Sequence, residues 1–133
     1  MNTLRQSILA VAAVLGFAGV LFAAAGSHWV DGLDDPGRYR QWQAAVLVNL
    51  VHAPALLAMA SLSNVHRHLL ALSALLIAGG VALFSGTIYF AMITGGTGPG
   101  PAAPVGGMGL LLGWVLLFVA GFGKPGHPES PSS

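Results

Sequence analysis

The sequence predicts an all-α membrane protein, a bundle of four transmembrane helices, and three observations carry that prediction. From His68 to Gly123 no Asp, Glu, Lys or Arg occurs, and midway lies the segment GGTGPGPAAP. A bilayer core of about 30 Å is crossed by about 20 apolar residues in a helix, so this stretch makes two spans joined by a Gly/Pro connector. Two more apolar runs precede it. The composition agrees: 55% of residues are hydrophobic and 7% charged, against roughly 25% charged in soluble domains.

With 133 residues, four spans and short connections use up the chain, leaving no room for a separate soluble catalytic domain. The expected organisation is one membrane domain over 1–124, with spans near 8–26, 42–62, 69–94 and 105–122, and a disordered Pro/Ser-rich tail over 125–133.

The first apolar run, ILAVAAVLGFAGVLFAAAG, has two readings. Arg5, the apolar stretch and the small residues Ala23 and Ala25 would suit a cleaved signal peptide. The run is long for that role, and Ala12, Gly16, Gly19 and Ala23 fall at helical spacing, a stripe that suits close packing in lipid. The retained span is the reading adopted.

Residues 27–41 hold most of the charge. Asp35-Pro36 reads as an N-cap followed by a proline at the first helical position, so the second helix should start there and run to about Leu62. Trp29, Tyr39 and Trp42 are expected at headgroup level, where amphipathic rings anchor spans. Pro54 should kink this helix.

A polar hinge, SNVHRH, leads to a third helix from about Arg67 to Thr94. Along it Ala74, Ala78, Ala82 and Gly86 recur every four residues, a ladder expected to face a neighbouring helix. The connector GGTGPGPAAP is expected to be non-helical, with Pro104 opening the fourth helix. In that helix Gly109 and Gly113 make a GxxxG, and Gly106 extends the same face.

Several chemistries are excluded. Net charge is +1 with no basic stripe, which argues against a nucleic-acid partner. There is no cysteine, so disulfides, thiolate metal sites and cysteine nucleophiles are absent. The four acidic residues, Asp31, Asp34, Asp35 and Glu129, lie outside the spans. No buried carboxylate pair can serve hydrolysis or proton coupling, and the glycines lack a phosphate-binding pattern.

The polar residues within spans are the candidates for a site: His28, Asn49, His52, Ser85 and Tyr89. Asn49 and His52 lie three apart on one helical face, and Ser85 and Tyr89 four apart on another. Such groups most often cross-link helices, and Tyr89, near the end of its helix, is expected at the membrane interface. Read functionally, they could line a proton or solute path. His28 and His52 are poorly matched in depth for paired haem ligation, and His66-Arg67-His68 reads as an interfacial hinge rather than a metal site.

Three segments resemble a known family. GSH at 26–28, WQAAVLVNLVHAPALLAMA at 42–60, and FSGTIYFAMITG at 84–95 with PVGGMGLLLGW at 104–114 are similar to the signature of domain-of-unknown-function family 423. That family is related to the transmembrane protein 256 group. The matching positions are Gly26, His28, Trp42, Gln43, His52, Ser85, Gly86, Tyr89, Pro104, Gly106, Gly107, Gly113 and Trp114. Departures include Ser27 for alanine, Asn49 and Val51 before His52, and Pro54 where leucine is usual. The resemblance implies four membrane helices and, for bacterial members, the cytoplasmic membrane. It implies no established activity.

The functional expectation is a non-enzymatic accessory or scaffold component, without cofactor or metal. Its partners would be the lipid bilayer and either a second copy or other membrane proteins. Close helix packing is expected along Gly16, Gly19, Ala78, Ala82, Gly86, Gly106, Gly109 and Gly113, an excess of small-residue faces over the needs of one bundle. The alternatives are a small transporter or channel with a polar path near His52 and Tyr89, and a haem- or quinone-binding subunit. Arg5, Arg67 and Lys124 fall on one side of a four-span topology and Arg38 and Arg40 on the other. That balance favours cytoplasmic termini.

Overall fold

The computed structural model describes residues 3–96 and 100–122. Four helices follow in order: α1 (Thr3–His28), α2 (Pro36–Ser61), α3 (Arg67–Ile93) and α4 (Ala102–Phe122). Each is long and apolar enough to cross a membrane. The expected tail, 125–133, lies outside the described residues.

The capping follows the local chemistry. Asp35, in extended conformation, accepts a hydrogen bond from the Arg38 backbone N–H at 2.8 Å, and Pro36 takes the first helical position, where its missing N–H costs nothing. Pro54 lies inside α2. At the start of α4 the expectation shifts: the helix opens at Ala102, and Pro104 sits within its first turn rather than at its first residue. A proline is tolerated there because those N–H groups have no intrahelical acceptor.

The helices do not form a closed square. α1 lies along α2, α2 along α3 and α3 along α4, while α1 only grazes α3. Among the described residues, the backbone of α4 approaches α3 alone. The inner helices α2 and α3 are therefore the more buried pair.

Two apolar clusters fill the interior. One, toward the N-terminal end of α1, gathers Ile8, Leu56, Met59, Leu70, Ile77 and Val81. The other, toward the opposite end, gathers Trp42, Ala45, Ile88, Tyr89, Met92 and Ala103, with Phe22 against it.

The outer surface is equally apolar. Phe17, Phe90, Phe118 and Phe122 are each at least two-thirds exposed. Leaving such a side chain in water costs roughly 1.5–3 kcal/mol, and soluble monomers rarely show apolar patches beyond a few hundred Å². Lipid removes that cost.

The α3–α4 seam is the tightest. On α4 the inward residues are Ala103, Gly106, Leu110, Gly113 and Ala120, an alternation of three and four that keeps one stripe facing its neighbour. A Cβ built on Gly106 would come within 2.8 Å of the Gly80 carbonyl oxygen, and one on Gly80 within 2.9 Å of the Leu110 backbone nitrogen. A Cβ on Gly113 would meet the Ile77 side chain at 2.6 Å, while Gly109 stands slightly back, 3.6 Å from the Gly80 Cα.

The α3 ladder departs from its expectation. Ala74 is buried and Ala78 half-buried, but Ala82 and Gly86 point outward, and a Cβ on Gly86 would meet nothing within 4 Å. The reason is helical drift. At 3.6 residues per turn, each four-residue step advances the direction by about 40°, so three steps carry the stripe about 120° around the helix. The residue that faces α4 is Gly80, outside the ladder.

Candidate functional site

The polar residues resolve into separate places. Around Tyr89, Phe22 stacks on the phenol ring at a 3.9 Å centroid distance, and Trp42 meets it edge-on at 5.0 Å. The Trp42 indole N–H donates to the Phe22 carbonyl at 3.0 Å. Trp42 is thus an interior residue, 1% exposed, not the headgroup anchor its position near the span's edge suggests. Its ring lies against Gly26, where a Cβ would overlap the indole.

Tyr89 too is interior rather than interfacial. Its hydroxyl is buried without a hydrogen-bond partner, although the Asn49 side chain comes alongside. Asn49 is itself buried. Ser85 joins this group from the same face of α3, donating to the Ala45 carbonyl of α2 at 2.9 Å. Thr87, by contrast, bonds back to Leu83 of its own helix at 2.7 Å.

His52 lies elsewhere. Its Nδ1 is 2.8 Å from the Val48 carbonyl, and its Nε2 accepts the Trp114 indole N–H at 3.1 Å. These roles require the proton on Nδ1, so both ring nitrogens are engaged within the chain. His28 sits exposed at the last turn of α1, its ring against Trp29. Of the five candidates, the structure gathers Asn49, Ser85 and Tyr89, and leaves His28 and His52 apart. The paired-histidine haem arrangement does not fit this geometry. Among the described residues, no group of three or more His, Asp or Glu could hold a metal ion.

The small residues also divide. Gly16 meets Ala53 at ordinary van der Waals distance, and Gly19 seats Leu50 and Asn49 across the α1–α2 seam. Gly106, Gly109 and Gly113 serve the α3–α4 seam, Ala78 lines a groove beside α1, and Ala82 and Gly86 face outward.

Several contributors escaped the sequence reading. Ser73 donates to the Gly113 carbonyl at 2.7 Å, so α3 bonds α4 through one buried serine and α2 through another. Ser73 lies seven residues before Gly80, on the same face of α3, but serines in spans commonly bond their own helix, and nothing in the sequence separates the two cases. Arg38 reaches from α2 to the end of α3, donating to the Gly96 and Met92 carbonyls at 3.3 and 3.5 Å. Positive charge suits a helix C-terminus. Gly32, at φ 77°, lets the α1–α2 connection lie against that guanidinium.

The arrangement is that of a small polytopic membrane protein whose interior is closed by packed aromatics and serine cross-links. The chain belongs to the family of proteins of unknown function DUF423, whose sequence profile matches residues 22–107. It is 34% identical to a UPF0382 membrane protein of Schizosaccharomyces pombe, over 86% of this chain and all of that one. It is 30% identical to the UPF0382 membrane protein YwdK of Bacillus subtilis, over 80% of this chain and 92% of that one. A UPF0382 membrane protein of Staphylococcus aureus is 27% identical over 82% of this chain and 93% of its own length. No solved structure matches the chain.

Proposed function

We propose that this protein is a non-enzymatic accessory or scaffold component that associates with a second copy or with a larger membrane complex. The observation that carries this reading is the outward face of α3. Gly79 and Gly86 have open space where a Cβ would stand, and Ala82 lies between them. This face turns away from α2, on a side that neither α1 nor α4 covers. A glycine inside a helix costs roughly 1 kcal/mol relative to alanine, and neither glycine is needed for packing within the chain. Small residues on a lipid-facing surface suit close approach by another helix.

The absence of cysteine and of acidic residues in the spans supports a non-enzymatic role. In this reading the protein resides in a bacterial cytoplasmic membrane with both termini in the cytoplasm, supported by Arg5, Arg67 and Lys124 on one side against Arg38 and Arg40 on the other.

The test is crosslinking and affinity purification from native membranes, comparing wild type with Gly86→Leu. The expected result is a defined oligomer or co-purifying membrane protein that the variant loses while keeping its own thermal stability. A strictly monomeric protein without partners would contradict the proposal. Transport is the competing outcome: a solute flux in proteoliposomes that depends on Tyr89 would favour it, and would require Phe22 and Trp42 to move off the phenol ring.

A further inference from the structure

Where α1 ends, α2 begins and α3 ends, a cavity of about 490 Å³ opens between the α1–α2 connection and the last turn of α3. Trp29 and Asp31 line it from the connection, Ile93 and Thr94 from the end of α3, and Arg38 from the first turn of α2. Asp31 and Arg38 are too costly for hydrocarbon, and the exposed ring of Trp29 suits headgroup level. The cavity therefore lies in the interfacial layer of the bilayer. Ile93 is exposed beside it on the apolar side.

The Arg38 guanidinium carries five N–H groups. Two bonds go to the Gly96 and Met92 carbonyls, and Nε is buried against Gly32 without an acceptor. The carbonyls hold the group in place but do not neutralise it, and among the described residues no carboxylate pairs with its side chain. Asp31 is exposed and likewise without a hydrogen bond or ion pair among the described residues. Thr94 donates its hydroxyl to the Phe90 carbonyl at 2.7 Å, which leaves the oxygen's lone pairs to accept. No Asp, Glu, Lys or Arg occurs between Arg67 and Lys124, and α4 leads from this end of the bundle to the other. The local charge is mixed: Asp31, Asp34 and Asp35 stand against Arg38 and Arg40. Such a place disfavours a purely anionic ligand and suits one that carries both signs.

We infer that this cavity binds the phosphoethanolamine headgroup of a membrane phospholipid, with its phosphate on Arg38 and its ammonium on Asp31 and Thr94. A guanidinium matches phosphate oxygens, and a primary ammonium has three N–H donors for a carboxylate and a hydroxyl. A quaternary ammonium has none, and the single ring of Trp29 makes no aromatic cage for it. A glycerol headgroup brings the negative phosphate but no cation for Asp31. The acyl chains leave the cavity past Ile93 into the bilayer.

The test is native mass spectrometry of the full-length protein in neutral detergent, with phosphatidylethanolamine, phosphatidylcholine and phosphatidylglycerol of the same acyl chains in competition. Exposed ion pairs contribute up to about fivefold each, so a preference of about fivefold for phosphatidylethanolamine over either competitor is expected. Asp31→Asn should remove that preference without moving the melting temperature, and Asp31→Lys should reverse it in favour of phosphatidylglycerol. Arg38→Gln should lower retention of all three lipids, and Arg38→Lys should keep most of it. Arg40→Gln, at the same end but outside the cavity wall, should change nothing. Equal retention of phosphatidylethanolamine and phosphatidylcholine, or a preference surviving in Asp31→Asn, would overturn the inference. So would displacement of the lipid by glycerophosphoethanolamine at equal concentration, since the ligand would then be a soluble headgroup rather than a membrane lipid.

Discussion

Trp114 donates its indole N–H to His52 Nε2 across 3.1 Å, joining α4 to α2 although the backbones of those helices do not come close. The pair lies toward the outer surface, with Trp114 43% exposed. Hydrocarbon offers neither ring a hydrogen-bond partner, so each satisfies the other. The bond positions α4 from a second side, complementing its glycine seam with α3.

Trp114→Phe keeps an aromatic ring but removes the donor. Polar bonds between membrane helices contribute about 0.6–2 kcal/mol, and a loss in that range is expected by thermal unfolding in detergent. His52→Phe should cost a similar amount, and the double variant should cost less than the sum, because the two residues share one bond.

Gly106→Ala should destabilise by about 1–3 kcal/mol. The added methyl would press on the Gly80 carbonyl and the Phe84 backbone, neither of which can swing aside. Gly86→Ala should be neutral or stabilising by up to about 1 kcal/mol, through helix propensity alone. A melting comparison of the two separates the seam that holds the bundle from the face that does not.

Tyr89→Phe should leave stability within about 0.5 kcal/mol of wild type or raise it, because the hydroxyl is buried without a partner. Ser85→Ala should cost more, since it removes a made bond to Ala45. The reverse order in unfolding measurements would show that the Asn49 side chain holds the phenol more firmly than the geometry indicates.

Gly26→Ala should be strongly disruptive, because the new methyl overlaps the Trp42 indole. Shrinking that ring, in Gly26→Ala with Trp42→Leu, should relieve part of the clash. A coupling of about 0.5–3 kcal/mol is expected for residues in such contact, read from a double-mutant cycle of melting free energies.

The four helices were legible because bilayer thickness imposes span length, and Gly/Pro connectors separate spans cleanly. The Asp35-Pro36 start of α2 was legible for the same kind of local reason: a cap and a proline fix one position. Sidedness was less so. Spacing by four on α3 suggested a seam, but helical drift carries Ala82 and Gly86 away from it and brings Gly80 in. Trp42 and Tyr89 read as interface residues because their rings are amphipathic. What places them inside is tertiary: Phe22 and Gly26 of α1 form a slot that no periodicity reveals. Pairing His52 with Trp114 required knowing how α4 lies against α3.

The chain has no cysteine, so single cysteines introduced at Asp34, Ser63 and Thr94 can be labelled without background. These positions fall in the connection before α2, in the connection before α3 and just after α3. With a membrane-impermeant maleimide on sealed cells, four crossings predict that Asp34→Cys and Thr94→Cys react alike and Ser63→Cys reacts oppositely until the membrane is opened. Labelling of Ser63→Cys together with Asp34→Cys in sealed cells would mean that α2 does not cross, and would contradict the four-span architecture.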